Sequence, residues 1–301
     1  MGTKSLGEEK PNAHLFVGLA NIVLSEDRFE LAPGISLSRT YAHLMAPFLM
    51  AFQPAAPGKP HPAPWKAVSG GLGFDVVAEL KVTHESAEDA ELLCSARTIL
   101  FLIRLWLDPE VTAPITSSHS FNTLLTVPDG EARICPYEIY PRHFALSTPD
   151  GTFTPIAAAW IARAFPVAHR LMKQSPEFSF AAEAISSGQF VNNPALTMVS
   201  LWAALEAIFL RSPAELRFRV SALIASFLKP PGQERVSLQK SAAKLYDMRS
   251  AAAHGRPKHG NEDLLATFTL VREVLLKVID LGSVPSEDQL NQLLFAPNEG
   301  Q

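Results

Sequence analysis

The sequence predicts an α+β protein: a mixed α/β N-terminal part over 1–150, then an all-helical part over 151–301. Three observations carry that division. Short alternating apolar runs are confined to the first half. Helix-start signals of the Ser/Thr/Asn-Pro type crowd the second. A turn-rich stretch, STPDGTFTP from Ser147 to Pro155, lies between them. With 301 residues, 47% hydrophobic and 19% charged, the chain has globular composition and material for a sizeable core.

In the first half, RFELAPGISLSR reads as two strands about a Pro33-Gly34 turn, and FDVVAELKVT as a further strand. TYAHLMAPFLMAF reads as a helix kinked at Pro47, and QPAAPGKPHPAPW as an extended surface loop. SAEDAELLCSARTILFLIRLWL is a firmer helix, with Ser86 placed to cap it, acids in its first turn and Pro109 beyond its end. FNTLLTV and YEIYPRHFAL read as strands. SGGLGF, Ser69 to Phe74, reads as a turn; a phosphate-binding loop would open a helix instead.

The second half announces its helices. Thr154-Pro155, Ser175-Pro176, Asn193-Pro194 and Ser212-Pro213 each put a capping oxygen before a proline at the first helical position, where its missing N–H is harmless. Ser212 and Glu215 also form a capping box, and Pro230-Pro231-Gly232 ends that helix. A fifth helix runs from about Gln233 to His254 and stops at Gly255. A sixth starts at Asn261 with Glu262 and Asp263, then carries an apolar stripe of Leu264, Phe268, Val271, Leu275 and Val278.

Charge is unevenly spread. The net charge is −4, yet residues 201–260 hold ten Lys/Arg against Glu206, Glu215, Glu234 and Asp247, which makes that window +6 and the remainder −10. Such a patch fits a local anionic partner or, equally, a solvated helix surface. The N-terminal residues are polar rather than signal-like, and the longest apolar run, TILFLIRLWL, is short and contains Arg104, so no membrane association is expected. Two cysteines, Cys94 and Cys135, point to a reducing, cytoplasmic setting. His119, Cys135 and His143 have no ligand-pair spacing, so no metal and no cofactor is expected.

The chemistry gathers in KLYDMRSAAAHGR, Lys244 to Arg256. LWAALEAIF, AELRFRVSALIASFL and KLYDMRSAAAHG together resemble the HEPN superfamily, and within it the Apea-like family of bacterial defence proteins, over about Pro194 to Asp280. The family's R-x4–6-H motif corresponds to Arg249 and His254. The resemblance implies a HEPN-type helical bundle, a homodimer, and a metal-independent endoribonuclease or toxin-like effector. Arg249 and His254 would be catalytic, with Ser250 assisting where many such nucleases carry a larger polar residue. Lys244, Tyr246, Arg256 and Lys258 would contact RNA, with packing as the other reading of Tyr246, and Glu206 and Asp247 would support the site. An unidentified protein partner or trigger would act through the N-terminal part.

The residue chemistry agrees with that implication. Cleavage by the RNA's own 2′-OH needs a proton carrier near neutral pH, which histidine supplies, and a fixed cation for the phosphoryl oxygens, which arginine supplies. The products would be a 2′,3′-cyclic phosphate and a 5′-hydroxyl, and DNA would survive. Five helical steps separate Arg249 from His254, roughly 140° of rotation and ~7.5 Å of rise. They meet only if the arginine extends to the helix end or a second copy faces this helix. Structural readings stand beside these: a C-terminal histidine suits the helix dipole, and Arg249 can pair with Asp247 or Glu206. Glu206 reads equally as an exposed position or as a buried partner of Arg219 or Arg249. A HEPN module that binds RNA or a protein without turnover is the alternative function.

Overall fold

A computed structural model describes residues 13–85, 88–143, 151–209 and 216–295. It is a mixed α and β structure with an antiparallel sheet followed by a helical array. The sheet contains β1 (Ala13–Ala20), β3 (Arg28–Ala32), β4 (Ile35–Ala51), β5 (Trp65–His84), β6 (Thr112–Ser117) and β7 (Ile134–Pro136), in the order β3-β4-β5-β1-β6-β7. One helix, α1 (Asp89–Trp106), interrupts the strands and packs its apolar side on β1 and β5. Asp89 and Glu91 occupy its first turn as expected, whereas Ser86 lies outside the described residues.

The turn at Gly34 joins β3 to β4 as the sequence indicates, with Gly34 at φ 74°. Four other expectations are corrected. The stretch from Thr40 to Phe52 is not a kinked helix: through Ala51 it is the outer part of β4, paired antiparallel with β5 from Ile35↔Val82 to Ala51↔Trp65, with register shifts after Arg39 and Pro47. Its Ala/Leu/Met composition suits a helix, but cross-strand pairing with β5 overrides local propensity. SGGLGF is not a turn but part of β5; Gly70 (φ 115°) and Gly71 (φ 155°) absorb the irregularity opposite Pro47, which has no N–H for the ladder.

FNTLLTV forms helical turns instead of a strand. Thr123 and Thr126 hydroxyls donate back to the carbonyls of Ser120 and Thr123, satisfying the chain locally. Of YEIYPRHFAL, residues 137–143 are irregular, and the remainder lies outside the described residues. The amides of Tyr137 and Glu138 still reach the carbonyls of Pro114 and Ala113, but the Glu138 carboxylate then turns inward.

That carboxylate is a structural hub. Arg104, 2% exposed in the last turn of α1, donates Nη2 to Glu138 at 2.5 Å and Nε to the Val111 carbonyl at 2.8 Å. The Ala113 amide donates to the same Glu138 oxygen at 2.7 Å. This explains the charge within TILFLIRLWL: a buried guanidinium is tolerated because its donors are spoken for.

The helical part follows the sequence signals closely. The elements are α2 (Pro155–Gln174), α3 (Pro176–Ser187), α4 (Pro194–Phe209), α5 (Leu216–Leu228), α6 (Gln233–Ala253), α7 (Asn261–Leu281) and α8 (Glu287–Phe295). Ser175 Oγ accepts from the Phe178 amide and Asn193 Oδ1 from the Ala195 amide, as capping requires. Thr154 precedes α2 without a side-chain cap bond, and the Ser212-Pro213 box lies outside the described residues. Four members of the expected α7 stripe and its fifth, Val278, are all buried. None of the described helices is long and apolar enough to cross a membrane.

One apolar cluster runs through both parts of the chain. It includes Leu80 and Phe101 from the first, Phe153, Trp160 and Trp202 from the second. Just past residue 150, β8 (Thr152–Phe153) pairs in parallel with β2 (Val23–Leu24), and Phe153 stacks edge-on against Phe29. Arg272 of α7 donates to the Leu105 and Trp106 carbonyls, satisfying the free C-terminal end of α1 with a cation where the helix dipole favours one.

Replacing Glu138 with alanine would leave Arg104 buried without its counter-charge and the Ala113 amide without its acceptor. The expected loss is about 3–5 kcal/mol in urea unfolding, against within about 0.5 kcal/mol for an exposed control such as Glu131→Ala.

Candidate functional site

The site is built on α6 and on α4, the helix it packs against. α4 is almost wholly apolar, touches α3, α5, α6 and α7, and carries one charged side chain, Glu206. On the facing side of α6 lies Arg249, whose Nη2 donates to Glu206 Oε2 at 2.9 Å; both side chains are about one-fifth exposed. Of the sequence alternatives, Glu206 is therefore the half-buried partner, and its partner is Arg249. Arg219 instead pairs with Glu287.

Aromatic rings floor this pair. The Arg249 guanidinium lies 5.4 Å from the centre of the Tyr246 ring, and that ring meets Trp202 edge-on at 5.2 Å. Tyr246 is 6% exposed, which matches its packing reading and not the RNA contact; its ring holds the arginine from below. Burial, then the nearby Glu206 charge, push the Tyr246 phenol above its ordinary value. Arg249 Nε, Glu206 Oε1 and Trp202 Nε1 are buried without hydrogen-bond partners among the described residues, so this cluster holds donors and an acceptor in reserve.

Asp247 corrects a second expectation. It does not support Arg249 but takes a bidentate pair from Arg217 of α5, at 2.6 and 2.8 Å. The reason is helical phase: two residues apart, Asp247 and Arg249 sit ~200° apart around α6, one outward and one toward α4.

His254 is the C-cap of α6 and is exposed. The next residues close the helix as the glycine signalled. Gly255, at φ 70°, donates to the Ala252 carbonyl, and the Arg256 amide donates to Ala251. This 6→1 closure turns the chain sharply and leaves Arg256 and Lys258 in solvent beyond the helix end. Lys240 and Lys244 are exposed about one turn apart on the same side as His254. Among the described residues, Lys240, Lys244, Arg256 and Lys258 have no carboxylate within ion-pair distance. Ser250 is half-buried beside Arg249, and its carbonyl accepts from the His254 amide.

Within one chain the structure thus gathers Glu206, Tyr246, Arg249 and Trp202, and places His254 with Lys244, Arg256 and Lys258 on the solvent side. Trp202 and Arg217 were missed as site-shaping residues. The i, i+4 spacing of Trp202 and Glu206 on α4 was the available signal. A shallow apolar groove of about 430 Å³ runs beside α6, lined by Leu238, Leu245, Leu265 and Leu270. A larger cavity, about 610 Å³, lies between α1 and α3 around Arg97, Arg104 and Tyr137, with no residue of α6 in its wall. No protein-family model, curated protein or solved structure matches this chain.

Glu206→Gln should cost about 1–3 kcal/mol near neutral pH by removing the charge-assisted bond to Arg249. The gap to wild type should narrow in alkali. A phenol raised above its ordinary value stabilises the fold below pH ~10 and loses that contribution as pH climbs through the folded value. Without the Glu206 charge the shift is smaller, so less stability is lost. Chemical unfolding of both proteins from pH 8 to 11 checks this.

Proposed function

We propose that the chain is a HEPN-type endoribonuclease acting at the C-terminal end of α6. The observation that carries the reading is the arrangement on that helix: a guanidinium fixed by a carboxylate and an aromatic ring, followed one turn later by an exposed histidine amid unpaired cations. Arg249 is oriented before any substrate arrives, as a group that stabilises developing phosphoryl charge must be. His254 is free to move protons. Lys244, Arg256 and Lys258 supply a cationic approach for a phosphate backbone.

In the proposed reaction the RNA 2′-oxygen bonds to phosphorus as the bond to the 5′-oxygen breaks. One imidazole takes the 2′-hydroxyl proton, and a water molecule gives a proton to the departing oxygen. A second copy of the chain, its α6 alongside this one, would set its histidine opposite this chain's arginine and its arginine opposite this chain's histidine. The apolar groove of Leu238, Leu245, Leu265 and Leu270 offers that copy a surface next to α6.

The engagement of Arg249 with Glu206 also favours a second reading. An arginine whose charge is already answered can serve to shape the bundle, leaving an RNA- or protein-binding module without turnover.

Purified protein is incubated with mixed single-stranded RNA and, separately, DNA, in EDTA. The expected result is RNA products with 2′,3′-cyclic phosphate ends, intact DNA, and a rate at least ~100-fold lower for His254→Ala. Equal cutting by His254→Ala would refute the assignment. Salt-sensitive retention of RNA with no cutting by either protein would establish the binding module.

A further inference from the structure

The most conspicuous feature outside α6 is the distal half of the β4–β5 ribbon. β3 pairs with β4 only as far as Ser38, and β1 pairs with β5 only from Ala78 onward, whereas β4 and β5 remain paired to Ala51↔Trp65. Residues 41–51 and 65–76 therefore run on as a two-stranded arm, roughly 35 Å long at about 3.3 Å per residue.

Its root is anchored. Ala42 and Leu44 pack with Val76 against Phe16, Ile115 and Phe121, and Asp75 accepts from Tyr41 while contacting His43 at 2.7 Å. Beyond that point the arm buries little. Met45 is 75% exposed, Leu49 59%, Phe52 58%, Trp65 54%, and Met50 and Phe48 about half. Side chains of this size present ~150–250 Å² each, so the arm offers on the order of 700 Å² of open apolar surface. Monomers rarely leave more than a few hundred Å² together, and a stable interface takes about 800 Å² from each partner.

The occupant follows from composition and shape. Between residues 40 and 74 the sequence has no Asp or Glu and only Lys59 and Lys66 as permanent cations. Such a surface has almost no charge with which to select a foreign protein, while aromatic and methionine side chains with charge depleted are the make-up of interface cores between like subunits. Register breaks after Arg39 and Pro47 interrupt the ladder, so the arm presents faces more than a continuous edge. Leu49 shares a face with Trp65, whose cross-strand partner is Ala51, and Met50, paired with Lys66, lies on the other, so both faces carry apolar side chains. We propose that this arm joins two copies of the chain, each burying the apolar side chains on both faces of its arm against the other copy about a twofold axis. The contact is separate from the one proposed along α6 and does not depend on the nuclease reading.

The test is the mass in solution of the full chain, measured by light scattering and sedimentation velocity, for wild type and for Phe48→Asp with Met50→Asp. Each chain weighs 32.8 kDa. The arm variant should have half the wild-type assembly mass: two chains instead of four where α6 also pairs copies, one instead of two where it does not. Far-UV circular dichroism should be unchanged, because neither side chain belongs to the core. A second variant, with residues 46–72 replaced by a short turn so that the Leu44 contact at the root is kept, should halve the mass likewise. Wild type running as a single chain, or either variant keeping the wild-type mass, overturns the proposal. So does a single-chain wild type that pellets with phosphatidylserine–phosphatidylcholine vesicles while the arm variant does not, since the arm then serves a lipid surface.

Discussion

A single carboxylate in an apolar helix organises the C-terminal part of this molecule. α4 lies at the centre of the helical array, its Trp202 and Leu205 sealed from solvent, and Glu206 is the one charge it carries. A carboxylate so placed needs a partner, because half-burying it unpaired would cost several kcal/mol. Arg249 is that partner, and the pairing sets the rotation of α6 about its own axis. Once Arg249 faces α4, helical phase decides the rest. Lys240, Lys244 and His254 are carried to the solvent side, and Asp247 is carried away to Arg217.

The two parts of the chain are joined by a shared core and by cations that close helix ends across it. Arg272 of α7 ends α1 across that core, and within the helical part Lys277, one turn and a half further on, donates to the Phe227 carbonyl at the end of α5. Glu91 of α1 meets both His169 and Lys173 of α2, and these neighbours hold its carboxyl below the usual range. In the sheet, Glu79 accepts from Ser120 Oγ and the Phe121 amide, pinning the segment after β6 to β5 although burial pushes its carboxyl upward. A charge change on α6 is thus made on a frame fixed through the whole chain, not on an isolated bundle.

The helical half was legible because its signals are local. Ser175, Asn193, Gly255 and the acids after Asn261 act within one turn of themselves, so a reader of the sequence meets cause and effect together. The sheet was less so. TYAHLMAPFLMAF has helical composition, and only its distant partner, residues 65–76, makes it a strand. Glu138 could not be recognised without knowing that Arg104 lies across the core, 34 residues away in sequence. At the site, the sequence identified Arg249, His254 and Glu206 as the residues to watch but could not choose between Glu206 and Asp247, which differ only in which way α6 is turned. Tyr246 kept two readings, phosphate contact and packing, for the same reason: its inward phase is invisible until α4 is in place.

With Arg249 turned toward α4 and His254 turned toward solvent, the proposed nuclease reading requires a site assembled between copies. Mixing tests this most directly. Chains carrying Arg249→Ala and chains carrying His254→Ala are each assayed alone and then after co-refolding, on the same RNA in EDTA. The account predicts that each variant is inactive alone and that the mixture regains cleavage, because a mixed pair restores one site with an intact arginine from one chain and an intact histidine from the other. A mixture as inactive as its components, beside an active wild type, would contradict it.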